Sequence, residues 1–188
     1  MKLFAPALAF VDLETTGTRA ADDRVTEIGI VRVDCAPDGG PPRVSEWSSL
    51  VDPGVPIPPV IQSLTGITDA MVRGAPTFSS LAHDVAERLD GCLFVAHNAR
   101  FDFGFLKHEL ARTGLPFSPR VLCTVRLSRR LDPEATSHGL DALIARWLAA
   151  RTIAPMGFLV QVDPFVFPER RRFFVAEPHG AIVGFLGI

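Results

Sequence analysis

Residues 10–17 read FVDLETTG, two carboxylates set into an otherwise apolar run. Leu8, Ala9, Phe10, Val11 and Leu13 have the character of a strand buried on both faces, as at the centre of a sheet. Alternation along such a strand places Leu8, Phe10, Asp12 and Glu14 on one face, with both acids at its end. Their Cα atoms then lie roughly 6.6 Å apart. Half-desolvated like charges at that separation raise each other's pKa unless something positive sits between them. Thr15, Thr16 and Gly17 end the strand as a turn, so the acids stand at a loop mouth, where a hard divalent cation would bind. The plain alternative is a surface strand whose acids face water, and the apolar run on both faces argues against it.

A chain of 188 residues is long enough for one domain with a substantial core and barely enough for two. Nearly half of it is hydrophobic and the net charge is -2, the balance of a soluble globular protein without broad polyanion affinity. Any nucleic-acid contact must then be local or bridged by metal ions. Cys35, Cys92 and Cys123 lack metal-ligand spacing and read as reduced, buried small hydrophobes. That usage, with no membrane span in the pattern, points to the cytoplasm and to no membrane partner.

The first strand is followed by RVTEIGIVRV and SEWSSLVDPG, which with it make a three-strand antiparallel meander. A Pro-rich link leads to a short helical segment ending at Gly66. Thr68 can cap a further turn, and Thr77 can cap an amphipathic helix with Leu81, Val85 and Leu89 on one face and Gly91 as its stop. LFVAHN is a fourth strand, running into a helix near Asn98. VLCTVRLSRRL passes from strand to helix near Thr124, and Ser137 can cap SHGLDALIARWLAA, with Leu140, Leu143, Ile144, Trp147 and Leu148 as its apolar face. A meander followed by strand–helix alternation makes the chain α/β with a mixed sheet. After about Ala150 the pattern changes: four prolines and little helical period, with RRFFVAE and AIVGFLGI placed to pair as a β-hairpin.

The second chemical constellation is VAHNARFDFGFL, residues 95–106. His97 and Asn98 fall at the strand-to-helix junction, and Asp102 falls in the first helical turn, where the helix dipole favours a carboxylate. Alone, Asp102 would be an ordinary first-turn acid. With Asp12 and Glu14 it becomes a third ligand for a divalent metal.

Taken in order, FVDLETTG, LTGITDAMV, VAHNARFDFGFL, CTVRLSRRL and SHGLDAL resemble the DEDD 3′–5′ exonuclease superfamily, over roughly Ala7 to Ala150. The branch they resemble most is the proofreading epsilon subunit of bacterial DNA polymerase III and its stand-alone relatives. The resemblance implies a ribonuclease H-like fold and two-metal hydrolysis of the terminal phosphodiester. Asp12, Glu14 and Asp102 would hold two Mg²⁺ or Mn²⁺ ions, which activate the attacking water and stabilise the leaving oxygen. Thr15, Thr16 and Gly17 resemble the loop that meets the terminal nucleotide. Leu64 and Ile67 are candidate wedges beside the terminal bases, with helix-end packing as an equal alternative for each. His97, Asn98 and Phe101 would border the nucleotide pocket, although packing of Phe101 against Phe105 competes with that role. The implied partners are single-stranded or frayed DNA 3′ ends and a replicative DNA polymerase.

One part of the family pattern is missing. Its third signature supplies a general-base His with a fourth acid five residues later, and here only His97 has an Asp at that offset, already used in the second motif. His138 is followed by Asp141 at the wrong spacing, and His179 by Gly184 at the required one. The expectation is an exonuclease domain at residues 1–150 lacking its last catalytic helix, then an unrelated or truncated tail at 151–188. That tail resembles the start of the C-terminal domain of phosphatidylglycerol lysyltransferases. The leading function is a metal-dependent 3′–5′ exonuclease on DNA, of proofreading or repair type, with impaired cleavage. Its rivals are a non-cleaving module that binds nucleic-acid ends or a polymerase, and an RNA-trimming exoribonuclease.

Overall fold

The computed structural model describes residues 7–36, 40–151, 158–161 and 173–176. The chain divides into two compact units at Leu122–Cys123. The first is built on β1 (Ala7–Thr15), β2 (Val25–Asp34) and β3 (Arg43–Leu50), then α1 (Pro59–Thr65), α2 (Asp69–Val72), α3 (Phe78–Leu89), β4 (Cys92–Ala96), α4 (Arg100–Arg112) and β5 (Arg120–Cys123). Its sheet has the order β3-β2-β1-β4-β5. β1 pairs antiparallel with β2 and parallel with β4, and β2 pairs antiparallel with β3. This is the mixed α/β sheet of the ribonuclease H-like fold.

β1 is central because it can be buried on both sides: Ala7 to Val11 and Leu13 are all in the core. The register of β1 with β2 holds to Glu14, opposite Glu27, and then shifts so that Thr15 meets Val25. Such a bulge bends the strand end and re-aims the residues beyond it.

Helix α4 buries Phe105, Leu106 and Leu110. Phe103 adds an edge contact with Phe94 of β4 and lies beside Phe117, ring centroids 6.3 and 5.4 Å apart. The Thr68 hydroxyl accepts from the Met71 amide and Thr77 from the Ser80 amide, so both expected caps are present. The buried face of α3 is Phe78, Ala82, Val85 and Leu89, with Leu81 half-buried at its edge.

A satellite core of Ile57, Ile67 and Val72 lies beneath α1 and α2. Asp69 ties it together: its carboxylate accepts from the Ile57 amide at 2.8 Å and the Gln62 side-chain amide at 3.1 Å.

The second unit contains α5 (Thr124–Leu131), α6 (Leu140–Arg151), β6 (Phe158–Gln161) and β7 (Phe173–Ala176). Helix α6 begins later than a Ser137 cap requires. Leu143 N–H donates to Gly139 O, and the Ser137 hydroxyl instead accepts from the Gly139 amide at 3.3 Å, a local turn before the helix. Of the expected α6 face, Leu143 is buried and Leu140 and Ile144 are half-buried; the side chains of Trp147 and Leu148 lie outside the described residues. The C-terminal antiparallel pair joins β6 to β7. The expected partner AIVGFLGI, together with His179 and Arg170 to Arg172, lies outside the described residues. All three cysteines are free, but only Cys92 is buried; Cys35 and Cys123 are half-buried at strand ends.

Ile67 is 1% exposed and Leu64 76%. Ile67→Ala is therefore expected to cost roughly 2–5 kcal/mol in chemical denaturation, as other core truncations do. Leu64→Ala should stay within about 0.5 kcal/mol of the parent.

Candidate active site

Helix α4 opens at the end of β4 through a backbone turn at Asn98, whose φ of 60° is the one positive value at a non-glycine among the described residues. No side chain caps the helix from Ala99. The carboxylate of Asp102, in the first turn, accepts from its own amide and from the Leu13 amide of β1, both of which favour its charged form. That bond joins the start of α4 to the β1 segment carrying both other acids.

Asp102 is 3% exposed. Its pKa is raised well above the ordinary carboxylate value, first by burial, then by the charge of Asp12, with Glu14 adding to it; the two amide bonds oppose the rise. Asp12 is half-buried and Glu14 buried. The three acids expected to act together are thus electrostatically coupled across the β1–α4 junction. All are oxygen donors suited to a hard divalent cation, whose charge would relieve their repulsion. As arranged, no three His, Cys, Asp or Glu side chains among the described residues form a group able to hold an ion.

The turn after β1 is held from within. The Thr15 hydroxyl donates to Gly17 O, and the Thr16 hydroxyl accepts from the Arg24 amide at 3.0 Å. Both threonines are buried, so the surface of this turn is largely backbone. A Cβ at Gly17 would lie 2.5 Å from an Asp23 carboxylate oxygen, so any side chain there would displace that carboxylate. That same oxygen accepts from the Arg19 amide at 2.7 Å, closing the loop on itself.

The remaining candidates divide. His97 is half-buried, and burial lowers its pKa, so the neutral imidazole is favoured. Asn98 is exposed on the same turn. Phe101 packs on Phe105 with centroids 4.9 Å apart, the core contact that competed with a pocket role. Of the two wedge candidates only Leu64 reaches the surface. Ile67 is enclosed by Ile57 and Val72 and has no face to offer a base. In the second unit, His138 Nδ1 is 2.9 Å from the Ser128 hydroxyl, and Arg146 donates to that hydroxyl and to Ser137 O. That network gives His138 a local structural role.

Sequence reasoning passed over Glu27, which is buried directly opposite Glu14 in the β1–β2 register. The signal was present in VTEIGIV, an acid inside an apolar strand, the same pattern that marked β1.

A five-stranded mixed sheet of this order, flanked by helices, is the architecture of the ribonuclease H-like exonucleases. The sequence profile of the exonuclease family (RNase_T) matches residues 9–150. The chain belongs to this family, that of the DEDD 3′–5′ exonucleases, and is by family a phosphodiester hydrolase. It is 43% identical over 152 residues to a Mycobacterium tuberculosis protein provisionally named a bifunctional exonuclease/endonuclease, covering 76% of this chain and 23% of that one. It is 35% identical to the 3′-5′ exonuclease DinG of Staphylococcus saprophyticus, covering 73% of this chain and 15% of the relative. Among solved structures, Exonuclease X in complex with 5′ overhanging duplex DNA aligns with a TM-score of 0.52 at 33% identity, covering 75% of this chain and 73% of that one. The chain spans less than a quarter of the length of the curated relatives it matches. Members of the family generally use divalent metal ions. No helix among the described residues is long and apolar enough to cross a membrane.

A carboxylate whose folded pKa is raised binds more protons in the native state than in the unfolded one between its two pKa values. Its contribution to stability is therefore greatest below the ordinary carboxylate value of 3.8 and is lost as pH rises through the folded pKa. Asp102→Asn keeps an acceptor for the Leu13 amide and removes the buried charge. In EDTA it should melt above the parent at neutral pH, with the gain shrinking as pH falls toward the ordinary carboxylate range.

Proposed function

We propose that this chain binds single-stranded or frayed DNA 3′ ends at the β1–α4 junction and cleaves them slowly, as a metal-dependent 3′–5′ exonuclease with an incomplete catalytic set. The observation that carries the reading is the buried Asp102 of α4, whose carboxylate bonds the Leu13 amide of β1 and feels the charges of Asp12 and Glu14 on that strand. A site in which two carboxylates raise the pKa of a third, buried one favours a divalent ion as counter-charge. In this reading Asp12, Glu14 and Asp102 hold the family's two Mg²⁺ or Mn²⁺ ions, which supply Lewis acidity and an activated water when bound. The backbone of Thr15 to Gly17 meets the terminal sugar, with both threonine side chains already engaged in shaping the turn. Leu64, exposed on α1, lies against the end base, and His97 and Asn98 border the pocket.

The exonuclease part of the chain is residues 1–150, and residues 151–188 supply no His with an acid five residues on. General-base catalysis typically contributes ~10²–10⁴-fold, so a comparable deficit is expected against a complete relative. DNA is favoured over RNA by the similarity to Exonuclease X, whose solved structure is a complex with duplex DNA, and to PolC-type DNA polymerase III of Caldanaerobacter subterraneus, 36% identical. Association with a replicative polymerase and a cytoplasmic location follow from the same resemblance. A second reading, an end-binding module that does not cut, is favoured by the lack of a His with an acid five residues on in residues 151–188. Binding without any turnover in Mn²⁺ would select it.

Two measurements test the metal and the end. The melting temperature should rise with Mn²⁺ in the parent and much less in Asp12→Asn, because ligand binding stabilises only a protein that retains the site. Equal shifts in the two proteins would remove the metal assignment. On a 5′-labelled single-stranded DNA oligomer, the parent should shorten from the 3′ end far more slowly than a complete family member. Cleavage at the full family rate would show that a residue assigned no catalytic role supplies the base.

A further inference from the structure

Glu109 is buried near the end of α4, 5% exposed, and takes no part in the acid site. Its Oε1 lies 3.0 Å from Nη1 of Arg112, a charge contact made off the hydrogen-bond line. The other terminal nitrogen of Arg112, Nη2, donates to the carbonyl of Ala21 at 2.7 Å, across 91 positions of sequence. Ala21 belongs to the β1–β2 loop that continues from Thr15, Thr16 and Gly17. One residue earlier, Ala20 lies over α4 at Gly104, where a Cβ would come within 3.6 Å of the Ala20 methyl. Asp102, on the same helix, holds the other end of this segment through the Leu13 amide. The β1–β2 loop is therefore pinned to α4 at two places, before Thr15 and after Gly17.

We propose that Glu109 and Arg112 are positioning residues. Glu109 fixes the guanidinium, Arg112 fixes Ala21, and the loop is held where its Thr15–Gly17 backbone can tell a free 3′ hydroxyl from a blocked end. The inference rests on the end-binding reading above. A buried carboxylate is costly unless paired, and Arg112 is the partner that makes Glu109 tolerable. A planar guanidinium bridges carboxylate and carbonyl with separate N–H groups, which a single ammonium does less well. Anchoring a binding loop in its bound geometry removes an ordering cost that would otherwise fall on the ligand.

The test uses the full chain and a short single-stranded oligothymidylate with a cleavage-resistant terminal linkage, ending in either a 3′ hydroxyl or a 3′ phosphate. Fluorescence anisotropy gives the ratio of the two affinities, and limited trypsin digestion reports cutting at Arg19 and Arg24 inside the loop. In Arg112→Ala the preference for the hydroxyl end should fall by about tenfold, the scale of one charge-assisted hydrogen bond, while cutting at Arg19 and Arg24 accelerates. Arg112→Lys should recover part of the ratio, and Glu109→Gln should lose less than Arg112→Ala. An unchanged ratio in Arg112→Ala, or an unchanged digestion pattern, overturns the inference even if the parent strongly prefers the hydroxyl end. A ratio lost only together with a general fall in melting temperature, and not recovered by Arg112→Lys, also overturns it, because the role is then merely structural. A parent without any 3′ preference fails earlier and removes the end-binding reading together with this one.

Discussion

The bond from the Leu13 amide to the Asp102 carboxylate links β1 to α4. It joins the sheet's central strand to the helix that follows β4, two segments some ninety residues apart. The same bond lowers the pKa of Asp102 while burial and two neighbouring acids raise it. The net rise means the fold bears an electrostatic cost at this point. Hydrophobic burial around β1 and α4 has to offset that cost, and the run of core residues from Ala7 to Leu13 with Phe105, Leu106 and Leu110 is placed to do so.

What was legible in the sequence was mostly local. The β1 acids, the three-strand meander and the caps at Thr68 and Thr77 each depend on residues within a turn or a strand of one another. Asp102 was legible because its position in the first helical turn needs only the N-terminus of α4 to be placed correctly. Ile67 was not, since it lies in the link between α1 and α2, where no period says which side is covered. Its burial comes from Ile57 and Val72, contacts that neighbouring residues do not announce. Ser137 was misjudged because a Ser before a helix can serve either the cap or the preceding turn, and here the turn takes it. The pairing of Glu27 with Glu14 and the Arg112–Ala21 bond were out of reach for a stronger reason: they depend on strand register and helix docking.

Glu109 could in part have been found. It lies seven positions after Asp102, two helical turns, and so on the same inward side. An acid at an inward position asks for a partner, and Arg112, three residues on, is at the spacing that supplies one. The pair was hidden because the same two residues, at the same spacing, would make an ordinary solvent-facing ion pair if α4 were rotated by half a turn.

The departures from local rules in this fold gather in one region. Asn98 takes a left-handed conformation, Asp102 is a buried acid with a raised pKa, Glu14 faces Glu27 across a strand pair, and the β1–β2 register slips just beyond them. The buried acid and the non-glycine at positive φ each cost stability. A fold selected for stability alone would replace Asp102 with an apolar residue and Asn98 with glycine. A small set of strained positions around converging carboxylates is the pattern expected where geometry is kept for chemistry. The second unit shows the opposite arrangement: Arg146 reaches Asp132, Ser137 and Ser128, and its histidine is bound to a hydroxyl. Among its described residues, these polar groups pair with one another.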